Sequence, residues 1–408
     1  MDPLTPRLTM RNKIVESVYM VDWNGIPSGS MRPRWPSPRD KELLSARKQI
    51  QNAPMIRNDR DLYAPVLRNV SMFKRSYELM EQMFKVYIYK EGSKPIFHKP
   101  FFRGIYASEG WFMKQMEGNR RFVVKDPRKT HMFYMPYSSS MMRELLYVPN
   151  SHRSFSCILK DYVDMLARKY RFRNRTGGAD HSIVACHDWV YTLFPIVNSQ
   201  GPFETKLHRE LRKNAIKAIC NADVSQGFFK LGKDVSFPQT NIRSGQNPLR
   251  DVGGKPACQR PILTFFAGRM HGYLRPILLN QWEKKDTDMK IYVAMPRGVA
   301  SKVSYIEHMK SSKYCICPRG YYVCVPVIMS DNFVPPFFEV LNWDAFSVII
   351  PEKDIPKFEG NIVVNQSQRR RVKRVQKHFL WHLKPVKYDI FHMVLHSIWL
   401  NRLYQIKG

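Results

Sequence analysis

Two long stretches of the 408-residue chain alternate short apolar runs with segments of helical spacing. A run such as Ser182–Cys186 is typical of a strand that is buried on both faces, as the strands of parallel sheets are. Strands that alternate with helices along a chain indicate an α/β fold. The two stretches, residues 76–236 and 261–358, are separated by Phe237–Arg260, which is rich in Pro, Asn, Gly and Arg and typical of a linker. The pattern therefore predicts two Rossmann-like domains that face a cleft.

Each stretch supplies a set of expected strands and helices. In the first we predict strands at Val86–Tyr89, His131–Met135 and Ser182–Cys186, and helices at Ser154–Tyr170 and Leu207–Cys220. In the second we predict strands at Ile262–Ala267, Lys290–Ala294, Lys313–Cys317, Val325–Met329 and Phe346–Ile350, and helices at Tyr273–Trp282 and Ser304–Lys310. Residues 1–75 are interpreted as a stem or peripheral region with short helices at Ile14–Met20 and Lys41–Gln51. Residues 359–408 form a helical segment, in which Asp389 is an N-cap and two adjacent apolar stripes predict a broadly buried helix.

The charge balance leaves three classes of protein open. The chain has 66 basic and 34 acidic side chains, a formal net charge of +32. Such a charge suits a nucleic-acid binder, a protein that acts on anionic substrates or near anionic membranes, or an enzyme whose basic surface is solvated. The basic residues are spread along the whole chain, and only Arg369–Arg371 with Lys373 and Arg374 form a dense cluster, which favours the last interpretation.

Cysteines and apolar runs say little about the compartment. The seven cysteines cannot all pair with one another, and Cys315, Cys317 and Cys324 lack the repeated C-x-x-C pair of structural zinc sites, so buried strand cysteines are expected. No run approaches the length of a transmembrane helix, and residues 1–31 show no apolar core of signal-peptide type. Sequons at Asn69, Asn174 and Asn365 are compatible with a secretory lumen.

The first candidate site is the loop Gly268–Gly272, which follows the first strand of the second domain. In open parallel sheets, ligands bind beyond the carboxyl ends of the strands. Glycines such as Gly268 let the backbone approach a ligand closely, and the start of the next helix suits a diphosphate. Arg269, His271 and Arg275 add charge and hydrogen-bond donors. An ordinary strand-to-helix turn is the alternative.

Two further loops carry polar residues at strand ends. The segment Cys317–Tyr321 follows another strand of the second domain and offers Arg319 and Gly320 to the same ligand, although a plain Pro-Gly turn explains it equally well. In the first domain, His187 and Asp188 follow the strand Ser182–Cys186. A histidine beside a carboxylate is a candidate general base, and a buried histidine bonded to backbone is the alternative. Asp180 and His181 precede the same strand and are the acceptor-side candidates.

The chain resembles the exostosin family of glycosyltransferases, in its plant branch, over roughly residues 60–405. The matching stretches occur in the family's order, and they are Phe84–Tyr89, Gly178–His181, Cys186–Trp189, Gly232–Ser236, Arg260–Leu263, Phe266–Gly268, Ser312–Gly320, Val325–Asp331, Pro335–Phe337 and Val340–Trp343.

The resemblance implies a GT-B architecture, an inverting sugar transfer and a sugar-nucleotide donor, with UDP as the expected nucleotide. GT-B enzymes are generally metal-independent, so no cofactor is expected, and Arg269, Arg275, Arg319 and Cys317 with the glycines are assigned to the donor side. Asp188 with His187 are assigned as the acceptor base. The plant branch is found at the Golgi membrane, facing the lumen, where it builds cell-wall polysaccharides, although no membrane anchor is visible in this sequence.

One departure from the family lies between the strands that end at Cys317 and begin at Val325. Relatives carry a longer stretch there, with a ribose-contacting acid and one arginine, whereas only Pro318–Cys324 intervene in this chain. A parallel crossover ordinarily needs a dozen or more residues, so the sequence predicts a rewired or damaged sheet. Gln239 and the segment Phe358–Arg370 also depart from the pattern.

Three functions follow as competing hypotheses. The first is an active transferase that acts on a UDP-sugar and a polysaccharide or other glycan acceptor. The second is a catalytically impaired member that acts as an assembly partner of related glycosyltransferases. The third, a nucleic-acid binder, rests on charge alone and lacks any recognised module.

Overall fold

A computed structural model of the chain describes residues 33, 35, 37–146, 153–187, 213–225, 227–270, 272–295, 299–316, 324–361 and 366–406. Within these residues, ten strands form two five-stranded sheets, and every strand pairing in both sheets is parallel. The first sheet has the order β1-β2-β3-β4-β5, and its strands are β1 (Val86–Ile88), β2 (Met132–Tyr134), β3 (His181–Ala185), β4 (Ile216–Ile219) and β5 (Val235–Ser236). The second has the order β10-β9-β8-β6-β7, and its strands are β6 (Ile262–Ala267), β7 (Met289–Tyr292), β8 (Ser312–Ile316), β9 (Val325–Met329) and β10 (Val348–Ile350).

Ten α-helices accompany the two sheets in the described residues. They are α1 (Pro38–Gln51), α2 (Val70–Met83), α3 (Ala107–Glu117), α4 (Ser139–Leu146), α5 (Arg153–Lys169), α6 (Arg173–Thr176), α7 (Leu274–Trp282), α8 (Val299–Ser311), α9 (Gln366–Val375) and α10 (Ile390–Gln405). The α/β class, the C-terminal helices and the predicted strands of both stretches are confirmed. None of the described helices is long and apolar enough to cross a bilayer.

The prediction of a helix at Leu207–Cys220 was wrong. Residues 216–219 form the strand β4, which pairs with β3 on one side and β5 on the other, and residues 207–212 lie outside the described part of the chain. Because β4 is central, both of its faces are buried, and its side chains do not alternate. Lys217 in this strand is buried and pairs with Asp234 at 3.2 Å. A lysine among apolar residues is typical of a half-exposed helix, and this is why the sequence pattern suggested one.

The prediction of a rewired or damaged sheet was also wrong for the described strands β8 and β9. The two strands pair in parallel, with Tyr314 beside Val325 and Ile316 beside Val327. Since β9 begins beside the middle of β8, the connection has to descend only two residues, or roughly 7 Å. Nine extended Cα–Cα steps from Ile316 to Val325 can span up to about 30 Å. No helix is therefore needed, although residues 317–323 themselves lie outside the described part of the chain.

Four cysteines are buried in or beside strands, as expected, and they form two disulfides. Cys186, just after β3, is bonded to Cys220, just after β4, with their Cα atoms 4.6 Å apart. Cys315 in β8 is bonded to Cys324, which precedes β9, with a Cα separation of 5.7 Å. Both separations lie in the range of about 4.4–6.8 Å that disulfides show. Each bridge joins neighbouring strands of one sheet.

The C-terminal helix α10 packs against the first domain, as its two apolar stripes predict. It contacts α1, α2, β4 and β5. Asp389 caps it by accepting a hydrogen bond from the His392 N–H at 3.1 Å, which confirms the predicted N-cap. Near its other end, the buried Arg402 pairs with Asp40 of α1 at 3.3 Å and donates to the His131 carbonyl at 3.2 Å.

The carboxyl ends of the two sheets face each other. The segment that follows β4 hydrogen-bonds to the segment that follows β9, because the Val224 N–H donates to the Asn332 carbonyl at 3.1 Å and the Val334 N–H donates to the Ala222 carbonyl at 2.8 Å. The Ser236 hydroxyl at the end of β5 also donates to the Val334 carbonyl, at 2.6 Å. This is the predicted GT-B arrangement, with two Rossmann-like sheets on either side of a cleft.

Candidate functional site

The donor-side loop begins where β6 ends. The Gly268 N–H donates to the Tyr292 carbonyl of β7 at 3.1 Å, so the loop leaves the sheet at its carboxyl edge. A Cβ at Gly268 would lie 2.9 Å from the ring of Phe266, so the close fit here needs a glycine. The exposed Arg269 follows, and Nη1 of Arg275 in the first turn of α7 donates to the Arg269 carbonyl at 3.2 Å. Two predicted arginines are thus brought together at the start of a helix.

Carboxylates that the sequence analysis did not single out lie at the same edge. The Asp331 N–H donates to Glu352 at 3.4 Å, and the Glu352 N–H donates back to Asp331 at 3.3 Å. The hydroxyl of Tyr273, which precedes α7, donates to the Glu352 carboxylate at 2.8 Å, and this hydrogen bond raises the pKa of Tyr273 to about 12. Both acids follow predicted strands within two residues, and this position was the signal that could have identified them.

On the acceptor side, His187 lies at the carboxyl edge of the first sheet, two residues after β3. The His187 side chain is buried, with its ring 4.6 Å from the ring of Tyr106, and the backbone N–H of His187 donates to the Ser139 hydroxyl at 3.1 Å. The Ser139 hydroxyl donates in turn to the carboxylate of Glu109. The neighbouring Cys186 N–H also donates to Glu109, at 2.9 Å.

Glu109 is the residue of this cluster that sequence reasoning missed. It stands in the first turn of α3, where a carboxylate is ordinarily explained by the helix dipole. Its side chain is instead fully buried, with 1% of its surface exposed. Burial raises the pKa of Glu109, and the hydrogen bonds from Ser139 and Cys186 offset part of that shift.

Asp180 and His181 lie at the opposite, amino end of β3. Asp180 is buried and accepts hydrogen bonds from Arg175 at 3.1 Å and Thr176 at 2.5 Å. Burial alone would raise the pKa of Asp180, but the hydrogen bond with His181 and the charges of Arg402 and Arg175 hold it well below its usual range. The other ring nitrogen of His181 lies 2.9 Å from the Tyr89 hydroxyl. These bonds stabilise the fold, and an acceptor-side role for the pair stays a prediction.

The remaining predicted site residues, which are Asp188, His271, Cys317, Arg319 and Gly320, lie outside the described residues. In the part of the chain that the structure describes, no group of three His, Cys, Asp or Glu side chains is placed to hold a metal ion.

Comparison with known proteins assigns a family to this arrangement. The Exostosin GT47 domain matches residues 80–365. The chain is 42% identical over 387 residues to a probable glycosyltransferase of Arabidopsis thaliana, At5g03795, covering 89% of this chain and 71% of the relative. A second Arabidopsis thaliana relative, the probable glycosyltransferase At3g07620, is 36% identical over 89% of this chain and 80% of its own length. A probable glucuronosyltransferase of Oryza sativa subsp. japonica, Os02g0520750, is 24% identical over 69% of this chain and 74% of its own length.

Proposed function

The chain belongs to the exostosin GT47 family of glycosyltransferases, and we propose that it transfers a sugar from a UDP-sugar to a glycan acceptor with inversion at the anomeric carbon. The acceptor oxygen forms a bond to the anomeric carbon while the bond from that carbon to the diphosphate breaks. The acceptor's proton passes to a base on the enzyme, and UDP leaves. One observation supports this proposal most directly. The carboxyl edges of the two sheets face each other, with Arg269 and Arg275 on one side and His187 on the other.

The donor diphosphate is proposed to bind beyond β6. Arg269 and Arg275 lie together at the start of α7, where free N–H groups and the helix dipole favour an anion. Charge that develops on the leaving diphosphate is stabilised by such fixed donors, with no metal ion required. The carboxylates of Asp331 and Glu352 at the same edge are suited to accept hydrogen bonds from ribose or sugar hydroxyls.

The acceptor is proposed to enter from the first domain, with His187 or the adjacent Asp188 as the base. By likeness to the plant family, the acceptor class is a cell-wall polysaccharide and the place of action is the Golgi membrane, on its lumenal side. The two disulfides support a lumenal site, because such bridges persist in oxidising compartments. Since several relatives are named probable glucuronosyltransferases, a uronosyl donor belongs among the candidates.

Titration calorimetry with UDP tests the donor assignment. We expect UDP to bind the full chain, and Arg269→Ala to weaken binding roughly ten- to hundredfold, because a hydrogen bond to a charged group contributes about 1.5–3 kcal/mol. Asp188→Ala and Arg250→Ala are the controls, since Arg250 is an exposed linker arginine paired with Asp251. If Asp188→Ala weakens UDP binding more than Arg269→Ala does, the roles of the two domains are assigned wrongly. Absence of UDP binding by the folded chain would favour a non-catalytic assembly partner.

A further inference from the structure

One buried carboxyl group joins three elements at the carboxyl edge of the first sheet. Glu109 belongs to α3, Ser139 opens α4 after β2, and Cys186 follows β3. The same Glu109 oxygen accepts hydrogen bonds from the Ser139 hydroxyl and from the Cys186 N–H, the latter at 2.9 Å. The other oxygen lies 3.5 Å from the Ser140 N–H. A helix and two strand ends therefore depend on one side chain.

In the part of the chain that the structure describes, the hydrogen-bond partners of Glu109 are neutral groups. Among the described residues, no Lys, Arg or His side chain forms an ion pair with it. Burial of a carboxyl group without a cation costs free energy that an apolar side chain of the same size would not cost. Stability of the core alone therefore does not explain why a glutamate occupies this position. The hydrogen bonds between Glu109 and the strand ends do explain it.

The same hydrogen bonds also hold the backbone of His187. The Ser139 hydroxyl, which donates to Glu109, accepts the His187 N–H at 3.1 Å. The backbone N–H groups of two successive residues, Cys186 and His187, are thus fixed by the Glu109–Ser139 pair. Tyr106, which precedes the helix that carries Glu109, places its ring 4.6 Å from the His187 ring. The helix, through Tyr106 and Glu109, therefore sets both the backbone and the ring of His187.

We propose that Glu109 is a positioning residue for the acceptor-side chemistry, which holds His187 at the carboxyl edge of the first sheet through Ser139 and the Cys186 N–H. The proposal rests on the proposed transferase function, and it adds that catalysis depends on a residue that does not touch either substrate. Glu109 acts on the turnover of bound substrates and leaves donor binding in the second domain unchanged.

A partly buried glutamate of this chain provides a control. Partial burial raises the pKa of Glu339, and its carboxylate accepts a hydrogen bond from Ser397 of α10. Like Glu109, Glu339 accepts a hydrogen bond from a serine hydroxyl. That hydrogen bond joins it to the C-terminal helix and not to the strand end that carries His187.

The test compares Glu109→Met, Glu109→Gln and Glu339→Met in the full chain. We expect Glu109→Met to lower kcat at least tenfold, with the Kd for UDP changed less than twofold. Methionine has about the same side-chain volume as glutamate but lacks the carboxylate oxygens that accept the hydrogen bonds. Glu109→Gln keeps an oxygen for Ser139 and Cys186 and is expected to retain kcat within about fivefold. Glu339→Met is expected to retain kcat within twofold. Unchanged kcat in Glu109→Met, or an equal loss in Glu339→Met, overturns the proposal.

A second readout decides the proposal even if the wild-type chain transfers no sugar, a result that would contradict the proposed function instead. The imidazole signals of His187 are assigned in NMR spectra by their loss in His187→Gln. Glu109→Met is expected to move the chemical shifts of the His187 ring, whereas Glu339→Met leaves them in place. If the His187 ring signals are identical in the wild type, Glu109→Met and Glu339→Met, Glu109 does not position His187.

Discussion

Tyr314 of β8 lies directly beside Val325 of β9 in a parallel pairing, although only eight residues separate the two strands. Because β9 begins beside the middle of β8, the chain has to return by only two residues along the sheet, and a short connection suffices. The second sheet therefore keeps its five strands, and the loop beyond β6 keeps the support of its neighbours on both sides. Among the described residues, the sheet beside the proposed donor loop therefore keeps its order and its parallel pairing.

The bridge between Cys315 and Cys324 is expected to stabilise this connection. It closes a loop with a sequence separation of nine residues, for which the loss of chain entropy in the unfolded state corresponds to roughly 2–3 kcal/mol. The double substitution of Cys315 and Cys324 by serine should lower the free energy of unfolding by that amount in urea denaturation. Cys258→Ser is the control, because Cys258 is exposed and unpaired. Equal stability of the two variants would contradict the bridge.

Arg402 is expected to be among the most sensitive positions of the fold. It is buried and pairs with Asp40, which also pairs with Arg175. Removal of one partner leaves a buried charge poorly compensated, which costs roughly 3–5 kcal/mol. Arg402→Met should therefore lower the free energy of unfolding by about 3 kcal/mol. Arg128→Met should change it by less than about 1 kcal/mol, since that arginine is exposed and pairs with Asp126 at the surface. A similar small effect of both variants would show that the buried network is not needed.

Strand–helix alternation was enough to predict the two sheets, because buried parallel strands leave a continuous apolar run in the sequence. The helix α10 was predictable for a related reason, since apolar residues on all sides require burial. The strand β4 was not, because its Lys217 is neutralised by Asp234, which is distant in sequence. Glu109 was missed because its partners lie 30 and 77 residues away, and only the fold brings them together. The pairing register of β9 with β8 was likewise not predictable, because the length of the connecting segment does not determine which residues pair.

Acid is expected to destabilise the fold through buried histidines, among them His378 and His396. Burial lowers the pKa of His378 to about 4 and that of His396 to about 3. In the unfolded chain a histidine takes up its proton near pH 6.5, so stability is lost as the pH falls from 6.5 towards the folded value. At pH 5 one such histidine costs roughly 2 kcal/mol.

The variant His378→Asn isolates this effect. Nδ1 of His378 donates to the Tyr388 carbonyl at 2.8 Å, and an asparagine amide can replace that donor without titrating. Urea denaturation at pH 7 and pH 5 should show a smaller loss of stability in the variant than in the wild type, by roughly 2 kcal/mol. An identical loss in both proteins would show that His378 does not remain neutral in the fold.

The most direct test of the account is the release of UDP by the folded full chain from a panel of UDP-sugars, including UDP-glucuronic acid, in the presence of cell-wall glycan acceptors. The account predicts acceptor-dependent UDP release with at least one donor, and a strong decrease in Arg269→Ala. The contradictory result is a well-folded chain that neither binds UDP nor releases it from any donor of the panel.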